Sequence, residues 1–177
     1  MEYSELIKIR QSCRKYSGEA VDRADVEKIL NEARLAPSAC NSQPWFFTAI
    51  TSKDAVEKTG KAVQHFGFNK FAENAGAFIV VEQREPKLKE GVTKVFGSRH
   101  FADNDIGIVV ANIVLSATNL GLGTCILGMF NKNEIAEIIG AKDKAEIKLV
   151  IAVGKPAEDD IIRDKKRKDL SDIAKFI

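Results

Sequence analysis

Apolar residues along this chain recur in two periods, and the alternation between them outlines the elements. Val26, Ile29, Leu30 and Ala33 fall at helical spacing and predict a helix from about Ala24 to Ala36, with Asp22 as N-cap and Pro37 forbidding continuation. The strongest helical signal comes later: Ile106, Val109, Val110, Ile113, Val114, Ala117 and Leu120 repeat three and four apart. They predict a helix over 103–120, with Asp103 as cap and Gly121 as stop. Ile108, Ala111 and Leu115 add apolar surface on its other faces, which suits a helix shared between a core and a subunit interface. Apolar runs at 46–50, 77–81, 124–127 and 148–153 predict strands, and shorter helices are expected over 4–9, 53–64 and 133–139. Residues 82–99 carry charge, glycine and Pro86 without a sustained period, which predicts a long excursion of the kind that borders substrate sites. Helices and strands alternate only partly, so the class is α/β or α+β with a sheet of about four or five strands.

Length narrows this to one domain over residues 1–177. A formal charge of +2 is too small for a nucleic-acid surface, and no apolar run reaches the length of a membrane span. The N-terminal residues Met1 to Glu5 are polar, with no basic region leading into an apolar stretch, so a cytoplasmic protein is expected, without nucleic-acid or membrane partners. Cys13, Cys40 and Cys125 form no C-x-x-C pair; disulfide scaffolds, zinc sites and iron–sulfur clusters are disfavoured, and no metal is expected. A dinucleotide fingerprint, a P-loop, a nucleophile elbow and an H-E-x-x-H pair are all missing. His65 and His100 have no evident partner.

Two segments carry the chemistry that remains. In Arg10-Gln11-Ser12-Cys13-Arg14-Lys15-Tyr16, an extended backbone would send Arg10, Ser12 and Arg14 to one side, three donors suited to a phosphomonoester. In Pro37-Ser38-Ala39-Cys40-Asn41-Ser42-Gln43-Pro44-Trp45, the prolines stiffen the backbone. Ser38, Asn41 and Gln43 can read the edge of a heterocycle, while small Ala39 lets the main chain approach its face. By themselves these stretches would read as a solvated basic loop and an ordinary connector.

Together, in this order, they resemble the start of the nitroreductase family of FMN-dependent oxidoreductases, and the resemblance continues through Gly121-Leu122-Gly123-Thr124-Cys125-Ile126-Leu127-Gly128 to the basic pair Lys165 and Arg167. The resemblance implies an α+β nitroreductase-like fold, a central mixed sheet flanked by helices, and a homodimer with FMN at its interface. The implied cofactor-binding set is Arg10, Gln11, Ser12 and Arg14, with Lys165 and Arg167, at the phosphate and ribityl chain; Pro37, Ser38, Ala39, Asn41 and Gln43, from the partner subunit, along the isoalloxazine; Ile126, Leu127 and Gly128 beside it; and Asn69 and Lys70 on its pyrimidine side. It further implies electron transfer from NADH or NADPH to a small acceptor such as a nitroaromatic or quinone in ping-pong order, with no catalytic side chain because the flavin carries the chemistry. A non-enzymatic flavin-binding or redox-sensing protein, or a flavin-fragmenting oxygenase on the same fold, would share these segments.

Overall fold

The computed structural model describes residues 1–89, 91, 97–141 and 146–177. Its centre is a four-stranded sheet of β1 (Trp45–Ile50), β2 (Ala77–Gln83), β3 (Gly123–Leu127) and β4 (Glu146–Gly154), in the order β1-β2-β4-β3, with every neighbouring pair antiparallel. Helices α1 (Tyr3–Ile9), α2 (Arg23–Ala33), α3 (Lys53–Ala62), α4 (Ser98–Asn119), α5 (Lys132–Ile138) and α6 (Leu170–Ile173) surround it.

Both faces of the sheet are covered, which explains why its central strands read as unbroken apolar runs. Ile79 and Val81 of β2, with Ile151 and Val153 of β4, pack against Val26 and Ile29 of α2 and Val109 and Ile113 of α4. Phe78, Val80, Val150 and Ala152 point the other way, toward Ala62 of α3, Ile135 of α5, and Cys125 and Leu127 of β3. Every residue of β2 is buried.

The segment after α1 lies along the free edge of β3. Ser12 bridges Thr124 in parallel sense, and the Cys13 N–H donates to the Thr124 carbonyl at 2.8 Å. The expected mixed character of the sheet is thereby confined to this one bridge, since each named strand runs opposite to its neighbour. Glycine makes the approach possible: a Cβ on Gly123 would stand 2.7 Å from the Cys13 Cβ, and one on Gly154 would stand 2.8 Å from the Tyr16 ring.

Several boundaries differ from expectation. Helix α4 begins at Ser98, so Asp103 lies inside it, where its carboxylate accepts from Lys148 Nζ at 2.6 Å instead of capping. Asp22 occupies the N-cap position of α2 without a side-chain bond, and α2 gives way after Ala33 to a tighter turn in which the Ala36 N–H donates to Ala33. Pro37 restricts Ala36 and unwinds the last turn. Because β2 continues to Gln83, the excursion shortens to 84–97, and residues 90 and 92–96 of it lie outside the described residues. Helix α4 is, among the described residues, the one helix long and apolar enough to cross a membrane, yet half of it is buried inside the fold. As its pattern predicts, Ile108 and Ala111 remain exposed on the outer face.

Candidate functional site

Arg10 closes α1, and the chain leaves the helix in extended form beside β3. Alternation then takes effect. Arg10, Ser12 and Arg14 line a cavity of about 170 Å³ together with Arg163, Asp164, Lys165 and Arg167 from the segment after β4, five cations against one acid. All six residues expected at the phosphate and ribityl chain, Gln11 included, border this one cavity. Arg163 was not anticipated, although it continues the same every-second-residue spacing: 163, 165, 167. Desolvation, then the nearby charges of Arg10, Arg167 and Arg163, hold the Lys165 ammonium below the usual lysine range. Such mutual repulsion among cations is relieved when an anion enters.

Two side chains fix the width of this cavity. The Gln11 amide is taken at both ends: Nε2 donates to the Ile161 carbonyl at 3.1 Å, and Oε1 accepts the Arg163 N–H at 3.1 Å. Gln11 therefore borders the cavity chiefly as a clasp. The Arg163 guanidinium donates to the Ser12 carbonyl at 2.5 Å and to Asp160 Oδ1 at 3.0 Å. The Asp160 side chain is only 6% exposed, so the pair anchors both walls from beneath.

On the reverse side of the same segment, Cys13 is buried and packs with Cys125 in the second core cluster. Burial pushes the Cys13 thiol up to about 11, against a lowering backbone hydrogen bond at Lys15, and burial likewise raises Cys125. Both thiols are thus neutral near pH 7 and poor nucleophiles. Brief iodoacetamide treatment of the native protein at pH 8 is expected to alkylate exposed Cys40 and spare Cys13 and Cys125, read by peptide mass spectrometry. Modification of either buried thiol as fast as Cys40 would contradict it. The linkage has a sign: a Cys13 thiol raised in the folded state stabilises fully below pH 9.0, and that contribution is lost as pH climbs toward 11.

From Thr124, beside Ser12, strand β3 advances roughly 13 Å to Gly128 at about 3.3 Å per residue. Ile126 on the way is 42% exposed, an apolar surface on the outermost strand. Asn69 is drawn to the same end: its amide donates to the Met129 carbonyl at 2.9 Å and to Val63 at 3.1 Å, so its side chain serves to fix the loop after β3. Lys70 stands exposed at the start of the short turn 70–74, away from the phosphate cavity's lining. His65 and His100 lie against the rings of Phe66 and Phe101.

The Pro37 to Trp45 stretch is elsewhere. It leads into β1, at the edge of the sheet opposite β3 and Ser12, and contributes nothing to the phosphate cavity. Cys40, Asn41 and Gln43 all have left-handed backbones, with φ of 54°, 51° and 48°. Non-glycine residues in that region cost about 1–3 kcal/mol each and persist only where surroundings hold them. Here Ser38 Oγ accepts the Gln43 N–H at 2.9 Å, Ser42 Oγ accepts the Lys87 N–H at 2.8 Å, and the Gln43 amide reaches the Asn41 carbonyl and side chain. Asp105 of α4, also unanticipated, accepts the Ala39 N–H. Its sequence signal was an acid one turn before Val109 on the buried stripe.

Residues 7–155 match the model of the nitroreductase family. An Archaeoglobus fulgidus protein provisionally named NADH dehydrogenase/NAD(P)H nitroreductase is 32% identical over 162 residues, covering 89% of this chain and 87% of its own. A nitroreductase family protein from Clostridium difficile, solved by crystallography, is 30% identical and superposes with a TM-score of 0.81 over 99% of this chain and 98% of its own. A provisionally named nitroreductase from Exiguobacterium sibiricum, crystallised with FMN, shares the fold at a TM-score of 0.85 with 23% identity, over 100% of this chain and 98% of its own.

Proposed function

The chain belongs to the nitroreductase family, and from that premise we propose that it is a homodimeric, FMN-dependent oxidoreductase passing electrons from NADH or NADPH to small electron-poor acceptors such as nitroaromatics and quinones. The observation that carries this reading is the cationic cavity of Arg10, Ser12, Arg14, Arg163, Lys165 and Arg167. Its donors and its volume suit one phosphate, held by guanidinium forks and a hydroxyl. They make no provision for the second phosphate and adenosine of FAD. When bound, the isoalloxazine supplies the redox chemistry. The protein's own task is binding and orientation: the cations hold the phosphate, β3 offers the path from Ser12 to Gly128, and Ile126 gives a flat apolar support.

A second copy completes this site. The Pro37 to Trp45 stretch and the phosphate cavity sit at opposite edges of the sheet, four strand spacings or roughly 19 Å apart at about 4.8 Å each. Apolar surface stands ready for a partner on α4, at Ile108, and along the C-terminal segment, at Leu170, Ile173 and the 85% exposed Phe176. Donor and acceptor would use one open slot in turn, which is ping-pong order.

Purified protein should be yellow and release FMN on denaturation, identified by chromatography. It should oxidise NADH or NADPH with a nitroaromatic or quinone, giving parallel double-reciprocal lines. Release of FAD, or no flavin binding at all, would refute the cofactor assignment, and flavin without turnover would refute the activity.

A further inference from the structure

Asp105 sits in the second turn of a helix whose inward face is largely apolar, between buried Ala102, Ile106 and Val109, with Ser116 the other buried polar side chain on it among the described residues. It is 4% exposed, and among the described residues no cation pairs with it. A buried carboxylate without a counterion is costly, so its retention calls for a task. Its one hydrogen-bond partner among the described residues is an N–H. Both oxygens accept from Ala39, at 3.1 and 3.2 Å, from a helix 66 residues further along the chain.

Ala39 is the last residue before the left-handed run. Cys40 and Asn41 follow it directly, Gln43 comes next but one, and the remaining bonds of the turn are made by the turn itself or by the nearby stretch after β2. Bonds internal to a loop shape it but do not place it on the body of the protein. The Asp105 carboxylate does both. Its bond to the Ala39 N–H is charge-assisted, partly buried, and delivered by the longest helix of the fold.

We propose that Asp105 is the positioning residue of the 38–43 loop: its carboxylate holds the Ala39 N–H against α4, so that the strained turn faces a flavin in the partner subunit in a preformed shape. This rests on the reading of the site as a shared FMN site. Preformed loops bind without an ordering cost at the moment of binding. Asp105 would therefore raise cofactor affinity without itself touching the cofactor.

The test compares wild type, Asp105→Ala and Asp105→Asn in amide hydrogen exchange of the FMN-free protein and in FMN titration. In Asp105→Ala, exchange at residues 39–43 should quicken while β2 stays protected, and FMN should bind roughly tenfold or more weakly. Asp105→Asn keeps an acceptor and loses the charge, so it should recover part of both effects. Loop exchange and FMN affinity equal to wild type in Asp105→Ala would overturn the proposal, as would faster exchange spread evenly over loop and sheet. If Asp105→Ala does not fold, Asp105→Asn decides: faster loop exchange with severalfold weaker FMN supports the tether, and no change in either overturns it. Wild type that binds no FMN would sink the shared-site reading instead, while the exchange measurement would still judge the tether.

Discussion

Arg10→Ala is expected to remove most of the protein's preference for FMN over riboflavin. The two ligands differ only in the phosphate, so their affinity ratio isolates the cavity lined by Arg10, Ser12, Arg14, Arg163, Lys165 and Arg167. Losing one charge-assisted bond to a phosphate oxygen costs about 1.5–3 kcal/mol, roughly a tenfold to hundredfold loss in FMN affinity. Riboflavin binding should hardly change. The substitution also removes a neighbouring charge that depresses Lys165. In wild type, FMN affinity should therefore fall as pH rises through the lowered Lys165 value, because the ammonium that attracts the dianion is lost. In Arg10→Ala that fall should begin at higher pH, since a Lys165 relieved of repulsion keeps its proton longer. Calorimetric titrations of both ligands from pH 7 upward would show this. Equal losses for FMN and riboflavin would mean that Arg10 supports the fold instead of the phosphate.

The segments around this cavity were legible in the sequence because their chemistry is local. An alternation of Arg10, Ser12 and Arg14 needs only an extended backbone to aim three donors together, and the chain supplies it by leaving α1 along β3. What stayed hidden depends on tertiary partners. Gln11 reads as another polar residue of that stretch until both ends of its amide are seen to be taken by residues 161–163. Arg163 and Asp160 look like part of a mixed-charge run, and only the return of that run beneath Ser12 makes them a clasp. Helix boundaries failed for a similar reason. Asp103 has the composition of a cap, but the partner that claims its carboxylate, Lys148, is 45 residues away. The apolar pattern placed all four strands within about two residues of where they lie, while their antiparallel order was set by contacts that periodicity does not encode.

Two defective variants, mixed, should restore activity that neither has alone. Arg10→Ala damages the phosphate cavity, and Asn41→Ala damages the loop before β1, where it replaces a side chain proposed to meet the flavin and puts alanine at a φ of 51° that it tolerates poorly. If each flavin site takes its cavity from one subunit and its loop from the other, a mixed dimer gathers both defects in one site. The other site is left whole. Random reassortment of equal amounts makes half of the dimers mixed, each with one of two sites intact, so about a quarter of wild-type activity should return from an isologous pair. The placement of the two segments at opposite edges of the sheet is what motivates this outcome. A site built within one chain predicts the reverse, because each subunit of a mixed dimer would still carry its own defect. The mixture would then show only the average of the two variants, and the shared-site dimer would have to be given up. Unfolding and refolding the variants together with FMN, then assaying NAD(P)H oxidation against each variant refolded alone, distinguishes the two arrangements.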